Sequence, residues 1–516
     1  MALLGLTLAR AQDSSELAKR YYDDAIRIVD EVKDGVTGEG WCWRAAFNIG
    51  HFVKGYRAFG DTAWLDYGVK YYDALIARMA EGPDGYRGWI GPYLADAALH
   101  ADVHIGDAIL FNGMLEFAVL VNESPQLVER YGPKAVEYVN LANKHLIEKW
   151  HARGTWYEDG EFGGYRAWDR FLTADNRRAW QQKPDARGSG LSLPFNKQNA
   201  MAIAMLRISR ITGQKPLRDR ARKIFAFLRS RFHFHDGHVT WCYWEPLGPF
   251  DIEPDGARAR HWMNTHPYRN YQAGEVAEIV EAYHYGIVFD ETDLRAILNT
   301  NLKVMFNGDF ERPAFRNSNV RLPGYVEAPP SREYPTRAGC LWTSLADFDE
   351  TIRRLAQTLA PAGDSPRAAV ERAYLEKVVL TAPVSFDRRR VRELRPSELG
   401  GFADGEAAAI VVRCVLPSTL APDAEAWIVS KVSVGGELVT ELLSEEGQRL
   451  AELDRAQVEG GMDGHAGVRI VRWKPRNAGG GPLPPGAYRV RWSLDGASRE
   501  FRIRVNEPAP TGRGDR

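Results

Sequence analysis

The sequence predicts a mainly α-helical protein, an α/α toroid of five to six helical hairpins, with a C-terminal all-β sandwich. Three observations carry that prediction. Apolar residues recur at helical spacing in paired segments from about residue 15 to residue 378. The pairs return every 65–90 residues or so, too long and irregular a period for a TPR or HEAT array. Past about residue 380 the pattern changes to short β-rich runs bounded by Gly, Pro, Asp and Asn.

The first residues, "MALLGLTLARAQDSS", run from a short apolar stretch into Ala9-Arg10-Ala11, the A-x-A form of a signal-peptidase site. Residues 1–12 therefore read as the remnant of an export signal, and the expected location is periplasmic or secreted. The toroid takes residues 13–380. In it "RAAFNIGHFVKGYRA" precedes "FGDTAWLDYGVKYYDALIARM", and "GDAILFNGMLEFAVLV" precedes "NESPQLVERYGPKAVEYVNLANKHLIEKW". "NKQNAMAIAMLRISRI" precedes "TGQKPLRDRARKIFAFLRSRF", and "AGEVAEIVEAYHYGIV" precedes "FDETDLRAILNTNLKVMF". Each unit joins an apolar helix to a more charged one through a tight polar turn, the grammar of inner and outer members of a hairpin. Weaker pairs at 15–33 and 338–376 bring the total to five or six. A closed ring is the simplest arrangement; an open helical solenoid is the alternative.

Three long insertions, 81–104, 151–195 and 233–271, each stand where an inner helix is about to begin, so in a toroid they gather at one mouth. Residues 381–506 carry "AAAIVVRCVL", "EAWIVSKVSV", "VRIVRWK" and "GAYRVRWSLDG", a small immunoglobulin-like sandwich with "LPPGAYRVRWSLDG" as a late hairpin. Residues 507–516 are expected to be a disordered tail, and the Arg-Gly-Asp within it reads as chance.

At 516 residues the chain is long enough for two or three domains. Hydrophobic and charged contents of 44% and 26% are those of a globular protein. The net charge of −1 supplies no field for nucleic acid or an anionic membrane. No apolar run suggests membrane insertion. The four cysteines lie far apart without a CxxC spacing, which argues against a zinc ribbon and for buried thiols. Phosphate-loop, dinucleotide and nucleophile-elbow signatures are missing, and no cofactor is expected.

Four stretches could carry chemistry. Twelve of the 15 tryptophans precede the β-region, and Trp89, Trp168, Trp241, Trp244 and Trp262 fall in the insertions beside Trp156 and Trp180. Aromatic faces beside polar side chains suit a sugar, with its C–H faces and hydroxyl rim. In "NTHPYRNYQAGEVAEIVEAYHYGIVF", Pro267 disfavours helix at His266, which predicts a helix start near Tyr271. His266, Tyr268, Arg269 and Tyr271 then cluster at a helix N-terminus, where an anion is favoured. Arg269 there offers a bidentate clamp for a carboxylate, with His266 or a tyrosine as acid or base. That is the equipment of β-elimination at a uronic acid. "LPFNKQNAMAIAM" places Asn196 and Asn199 on the first turns of an inner helix, as ligands of that carboxylate or, for Asn196, as an N-cap. In "LHADVHIGDAILFNGMLEF", His104 and Asp107 share one helical face, expected to point into the central cavity. His100 and His104 are four apart without a glutamate between them, so no metal is assigned. "HFHDGH" reads as a hairpin turn.

The hairpin grammar, with "GDAILFNGMLEFAVLV", "LPFNKQNAMAIAMLRISRITGQKPLRDRA", "GHVTWCYWEP" and "EVAEIVEAYHYGIVF", resembles the six-hairpin α/α-toroid carbohydrate-active superfamily. The resemblance covers residues 15–375. That group includes glycosidases, uronyl hydrolases, sugar epimerases and polysaccharide lyases, and fold does not choose among them. Toroid lyases use asparagine, histidine, tyrosine and arginine in the cleft. The resemblance thus implies Asn196 or Asn199, His104 or His266, Tyr268 or Tyr271, and Arg269. Related helices begin with an acidic pair and a histidine; here "YRNY" puts Tyr271 in the histidine's place and leaves a tyrosine as the base. The expected function is therefore a polysaccharide lyase acting on a uronate-containing polysaccharide or oligosaccharide. One alternative is a glycoside hydrolase, which needs two carboxylates about 5–9.5 Å apart. Its candidates are Asp107, Glu245, Asp251, Glu253, Asp255 and Glu275. The other is a non-catalytic glycan-binding scaffold.

Overall fold

A computed structural model describes residues 2–32, 37–235, 237–256, 258–260, 263, 269–316, 341–359, 363–377, 410–422, 424–461, 465–477 and 480–507; within these, the side chains of 2–13, 235, 269, 270, 347, 377 and 411 are not described. Helix α1 spans Ala2–Asp30 and runs through the expected cleavage motif. It is followed by α2 (Glu39–Ile49), α3 (His51–Phe59) and α4 (Ala63–Ile76). The next pair is α5 (His104–Glu123) and α6 (Pro125–Ala142), the latter continued by the π-turn Asn143–Glu148 into α7 (Lys149–Ala152). Then come α8 (Phe195–Thr212), α9 (Lys215–Ser230), α10 (Arg269–His284), α11 (Glu291–Asn299), α12 (Glu350–Thr358) and α13 (Pro366–Lys377).

Local chemistry sets many of these boundaries. Gly60 and Gly213 end α3 and α8 in the left-handed conformation. Proline near the first position opens α6 and α9, where a missing N–H costs nothing. Asp290 caps α11 by accepting from the Thr292 and Asp293 amides at 2.8 and 3.0 Å, while the Asp293 carboxylate reaches back to the Asp290 amide.

The helices form a ring. The inner elements α2–α3, α5, α8, α10, the 3₁₀ turn Thr343–Asp347 and α13 succeed one another, and α13 packs on α3 to close the circuit. Helices α1, α4, α6, α9, α11 and α12 lie outside, each beside an inner partner or its loop. The expected toroid is thus present with six inner elements among the described residues, closed rather than an open solenoid. Helix α5 is the centre of the core: by length and composition it matches a membrane span, yet 78% of that window is buried in the ring. Gly113 is required there, because an added Cβ would stand 2.5 Å from the Ile49 side chain of α2.

The first two insertions form strands rather than loose loops. Short strands β1 (Ala80–Glu81) and β2 (Arg87–Gly88) pair with each other. Strands β3 (Gly91–Tyr93) and β4 (Asp96–Ala101) come from the first insertion, with β5 (Trp156–Asp159), β6 (Phe162–Tyr165), β7 (Arg170–Thr173) and β8 (Asn176–Gln182) from the second. The order β3-β4-β7-β8 unites the two insertions in one sheet, whose first strand packs on α2. β9 (His233–His235) and β10 (His238–Thr240) form the hairpin expected of "HFHDGH".

The C-terminal part holds β11 (Ile410–Leu416), β12 (Thr419–Leu420), β13 (Ala426–Val432), β14 (Gly436–Ser444), β15 (Arg449–Val458), β16 (Val468–Trp473), β17 (Gly486–Leu494) and β18 (Ala497–Val505). Sheets of order β11-β13-β16 and β12-β18-β17-β14-β15 share one apolar core, as a two-layer sandwich requires. The β17–β18 hairpin turns through Asp495 (φ 45°) and Gly496 (φ 85°), the positive-φ pair that an Asp-Gly turn supplies.

That core also takes in Cys242, Tyr243, Trp244, Ile252, Ala259 and Met263 from the third insertion. Contrary to the expectation that this whole loop reaches the mouth, its middle is the seam between ring and sandwich. Asp159 fastens a second point of the seam, accepting from the Ser418 and Thr419 amides at 2.5 and 2.9 Å.

Candidate functional site

The inner helices start together at one rim, and their axial faces descend from it. On α2 the stripe is Glu39, Trp43, Ala46 and Gly50, spaced by four, three and four. Glu39 and Lys197, in the first turns of α2 and α8, pair across the rim at 2.7 Å. Trp43 points its Nε1 to the same carboxylate at 3.4 Å. Its ring stands 5.7 Å from that of Tyr271 on α10, and Tyr271 stacks in turn on Tyr243 at 5.7 Å and 19°. Trp43 and Tyr271 are partly exposed. The rim is thus an aromatic arc beside an ion pair.

Below the arc the axis is open. Gly274 and Ala277 on α10 are exposed although they sit in the middle of an inner helix, and a Cβ at Gly274 would meet nothing within 4 Å. Asn196 faces this well from the first turn of α8. Its side chain is 7% exposed, and neither amide atom has a partner among the described residues. Asn199 is buried one turn further along α8, where its amide is directed at Glu278. An amide left in the state of Asn196 in a packed ring marks a place where a ligand would complete the hydrogen bonding. Asn196 is not an N-cap, since α8 begins one residue earlier and Pro194 occupies that position.

Glu278 lies two turns below Tyr271 on α10, about 10 Å at 1.5 Å per residue, and is partly exposed. Burial, and then the carboxylates of Glu275 and Glu281 one turn away on either side, hold its carboxyl well above the usual range against the opposing pull of Arg207 and Asn199.

Several sequence-predicted residues stand elsewhere. His104 and Asp107 turn outward, away from the central cavity, because their face of α5 meets the outer helix. The His104 ring stacks on Trp150 at 3.7 Å and its Nε2 meets Thr155 Oγ1 at 3.0 Å. Asp107 pairs with Lys149 at 2.7 Å and accepts from Trp150 Nε1 at 3.0 Å. Lys149 also holds Asp102 at 2.8 Å, and Arg153 joins Asp102 to Asp84. Burial, then Arg153 and Lys149, hold the imidazole of His104 far below its ordinary range. Burial and the neighbouring Asp102 push Asp107 up. The residues of α5 that face the axis side are Asn112, which donates to Ala200 O at 2.8 Å, and Glu116. His100 is on β4 against Arg177 and does not approach His104 as a metal pair would.

Trp89, Trp241 and Trp244 are buried to 2% exposure or less and offer no face to a sugar. Their indole N–H groups bond Leu75 O, Glu275 Oε2 and Ser192 O respectively, so these rings pin loops to the ring. Trp168 is partly buried against Trp180 at 4.8 Å and under Arg153, away from the axial arc. The side chains of Trp262, His266, Tyr268 and Arg269 lie outside the described residues, although Arg269 opens α10 at the same rim as Asn196.

The hydrolase candidates of the third insertion are structural. Glu245 lies in the seam, 3.5 Å from Arg231. Asp251 accepts from the Ser192, Leu247 and Gly248 amides. Glu253 is a surface partner of Arg258, and Glu275 is buried under Trp241. Glu39, Trp43, Lys197 and Glu278 were not anticipated. The signal for them was present: "EGWCW" begins an inner helix as "NKQNA" does, and first turns of inner helices share one rim.

No family model matches the chain, and no curated protein matches it. Among solved structures, the GH76A alpha-1,6-mannanase of Salegentibacter sp. HEL1_6 is similar at 13% identity and a TM-score of 0.32, over 70% of this chain and 85% of that one. An inactive variant of it in complex with alpha-1,6-mannotriose gives 13% identity and a TM-score of 0.33 over the same shares. The alkylpurine DNA glycosylase AlkC of Pseudomonas fluorescens, bound to DNA, aligns at 8% identity and a TM-score of 0.15, over 95% of this chain and 97% of that one. Likenesses this low carry no argument about function, and the ring is established by its own contacts.

Proposed function

We propose that the protein is a carbohydrate-active enzyme that hydrolyses glycosidic bonds in the axial well, with Glu278 as proton donor. The observation that supports this reading is a carboxyl on the wall of an open, aromatic-rimmed well, with burial and the neighbouring Glu275 and Glu281 holding it well above its ordinary range. Hydrolysis breaks the glycosidic C–O bond, with a proton going to the leaving oxygen and the oxygen of a water adding to the anomeric carbon, and a carboxyl held well above its ordinary range is suited to give that proton. Trp43 and Tyr271 offer faces for the C–H side of a sugar ring. Asn196 and the Glu39–Lys197 pair offer adjacent donors and acceptors for hydroxyl groups. The β-elimination expected from "HPYRNYQ" has less support, because Tyr271 stands between the rings of Trp43 and Tyr243.

The test is a panel of neutral and uronate-containing polysaccharides, followed for reducing ends and for the ultraviolet absorbance of a new C=C bond. Reducing ends without absorbance, lost in Glu278→Gln, are expected. Rising absorbance would make the protein a lyase and return Tyr271 to the role of base. Silence on both with the whole panel would reject the enzymatic reading.

A further inference from the structure

Deeper along the axis, α3, the later turns of α5, α8 and α10, the 3₁₀ turn Thr343–Asp347 and α13 enclose a cavity of about 260 Å³ that shares Ala277 with the well. Its charged lining is Lys54, Arg57, Glu116, Arg207, Glu281 and Glu371. Glu116 and Arg207 are each twelve residues into their helices, so they stand about 18 Å below the rim. We propose that this cavity is a second, deeper binding site, meeting the well at Ala277, for a neutral polyhydroxylated molecule of monosaccharide size.

The charge balance selects the class. Arg57 meets Glu116 at 2.7 Å, Arg207 holds Glu281 through two bonds of 2.7 and 2.8 Å, and Lys54 meets Glu371 at 3.1 Å. Three cations face three carboxylates, so an ion of either sign would enter unpaired, which is costly in a partly closed site. The pairs nonetheless retain hydrogen-bonding capacity. Arg57 uses one nitrogen on one oxygen of Glu116. Glu371 takes both Lys54 and His51 on a single oxygen. Among the described residues this leaves an acceptor oxygen on Glu116 and on Glu371 beside spare N–H donors of Arg57. Vicinal hydroxyls, each a donor and an acceptor, match such a lining. Val119, Val280 and Leu375 complete the wall with apolar surface for the C–H groups of the same ligand. The volume is just under the low end of the ~300–1,000 Å³ range of small-molecule pockets, which limits the ligand to about one ring.

Five of the inner elements contribute to the lining together with α3, so occupancy should hold the ring together as well as fill a space. The proposal does not depend on the mouth being catalytic.

It is tested on the full chain carrying Trp43→Ala, which removes the aromatic stacking at the mouth. D-glucose, D-mannose, D-galactose and myo-inositol are titrated one at a time by isothermal calorimetry and by thermal unfolding, with D-glucuronate and glycine as charged controls. At least one neutral compound should bind once per chain and raise Tm by roughly 2–4 °C at tenfold excess over Kd, while the controls do not. Thr343→Trp, at an exposed lining position, and Lys54→Gln should each weaken that binding at least tenfold with the far-ultraviolet spectrum unchanged. Absence of binding by all four neutral compounds, preference for glucuronate or glycine, or binding unaltered in both variants would overturn it. Loss of glycosidase activity alone bears on the mouth and leaves this result standing.

Discussion

The seam between ring and sandwich and the axial well are both crowded with charge, yet they are built for opposite ends. In the seam Arg231 is 1% and Glu245 1% exposed, and Arg413 of the sandwich reaches His233 of the ring while also holding the Glu500 carbonyl of its own domain. In the well, Lys197, paired with Glu39, is partly exposed, and Gly274 and Ala277 leave open space on α10. Charge density therefore does not mark a site. Open volume next to a buried amide, Asn196, with no partner among the described residues does.

Four experiments would break or sharpen that contrast. The largest effect is expected in the well. Glu278→Gln should lower kcat about 10²–10⁴-fold, the usual worth of a general acid, with little change in Tm. A matching loss of Tm would make Glu278 a structural residue.

Glu245→Ala should do the reverse. It leaves Arg231 and Arg413 buried without their carboxylate and should cost about 3–5 kcal/mol in urea unfolding, with turnover of the folded fraction unchanged. A cost below 1 kcal/mol would mean that water reaches the seam.

The pH dependence of stability should follow the buried carboxyls. Burial pushes Glu245 to about 7 and Asp251 to about 6, and Asp107 is raised by burial and Asp102. The folded protein keeps these protons after the unfolded chain has lost them near pH 4. Their contribution is therefore fully present below about pH 4 and declines as pH rises toward 7. Glu371 acts in the other direction: burial is outweighed by Lys54 and His51, its carboxyl is lowered, and its contribution is lost as pH falls below its ordinary range. The urea midpoint should be higher at pH 5 than at pH 7, and Glu245→Gln should flatten that slope. A midpoint that rises from pH 5 to 7 would contradict the assignment.

The smallest effect belongs to neither region. Gly496→Ala forces a side chain into φ 85° at the β17–β18 turn and should cost about 1 kcal/mol in thermal unfolding without affecting activity. A larger effect would show that the hairpin also braces the seam.

The ring, the sandwich and the Asp-Gly hairpin were legible because helical and strand periodicity are local. Helix α10 starts at Arg269, two residues before the expected Tyr271, within the ordinary fraying of helix ends. Site residues were less legible. Tyr271 and Asn196 do stand at the rim, since a residue in the first turn of an inner helix has only one end of the ring to occupy. His104 and Asp107 share a face as their spacing requires, but spacing cannot say whether that face looks inward or outward. Lys149 and Trp150, more than forty residues away, decided it. In the same way Trp241 and Trp244 looked like sugar platforms until Glu275 and Ser192 took their N–H groups.

By itself, then, the sequence determined which segments are helices and strands, that the helices pair as hairpins, and where the grammar changes. These depend on neighbours within a few residues. Only the tertiary structure decided which charges are sealed and which line open space. That depends on closing the ring, which brings Glu39 to Lys197 and Arg57 to Glu116 across separations no local pattern encodes.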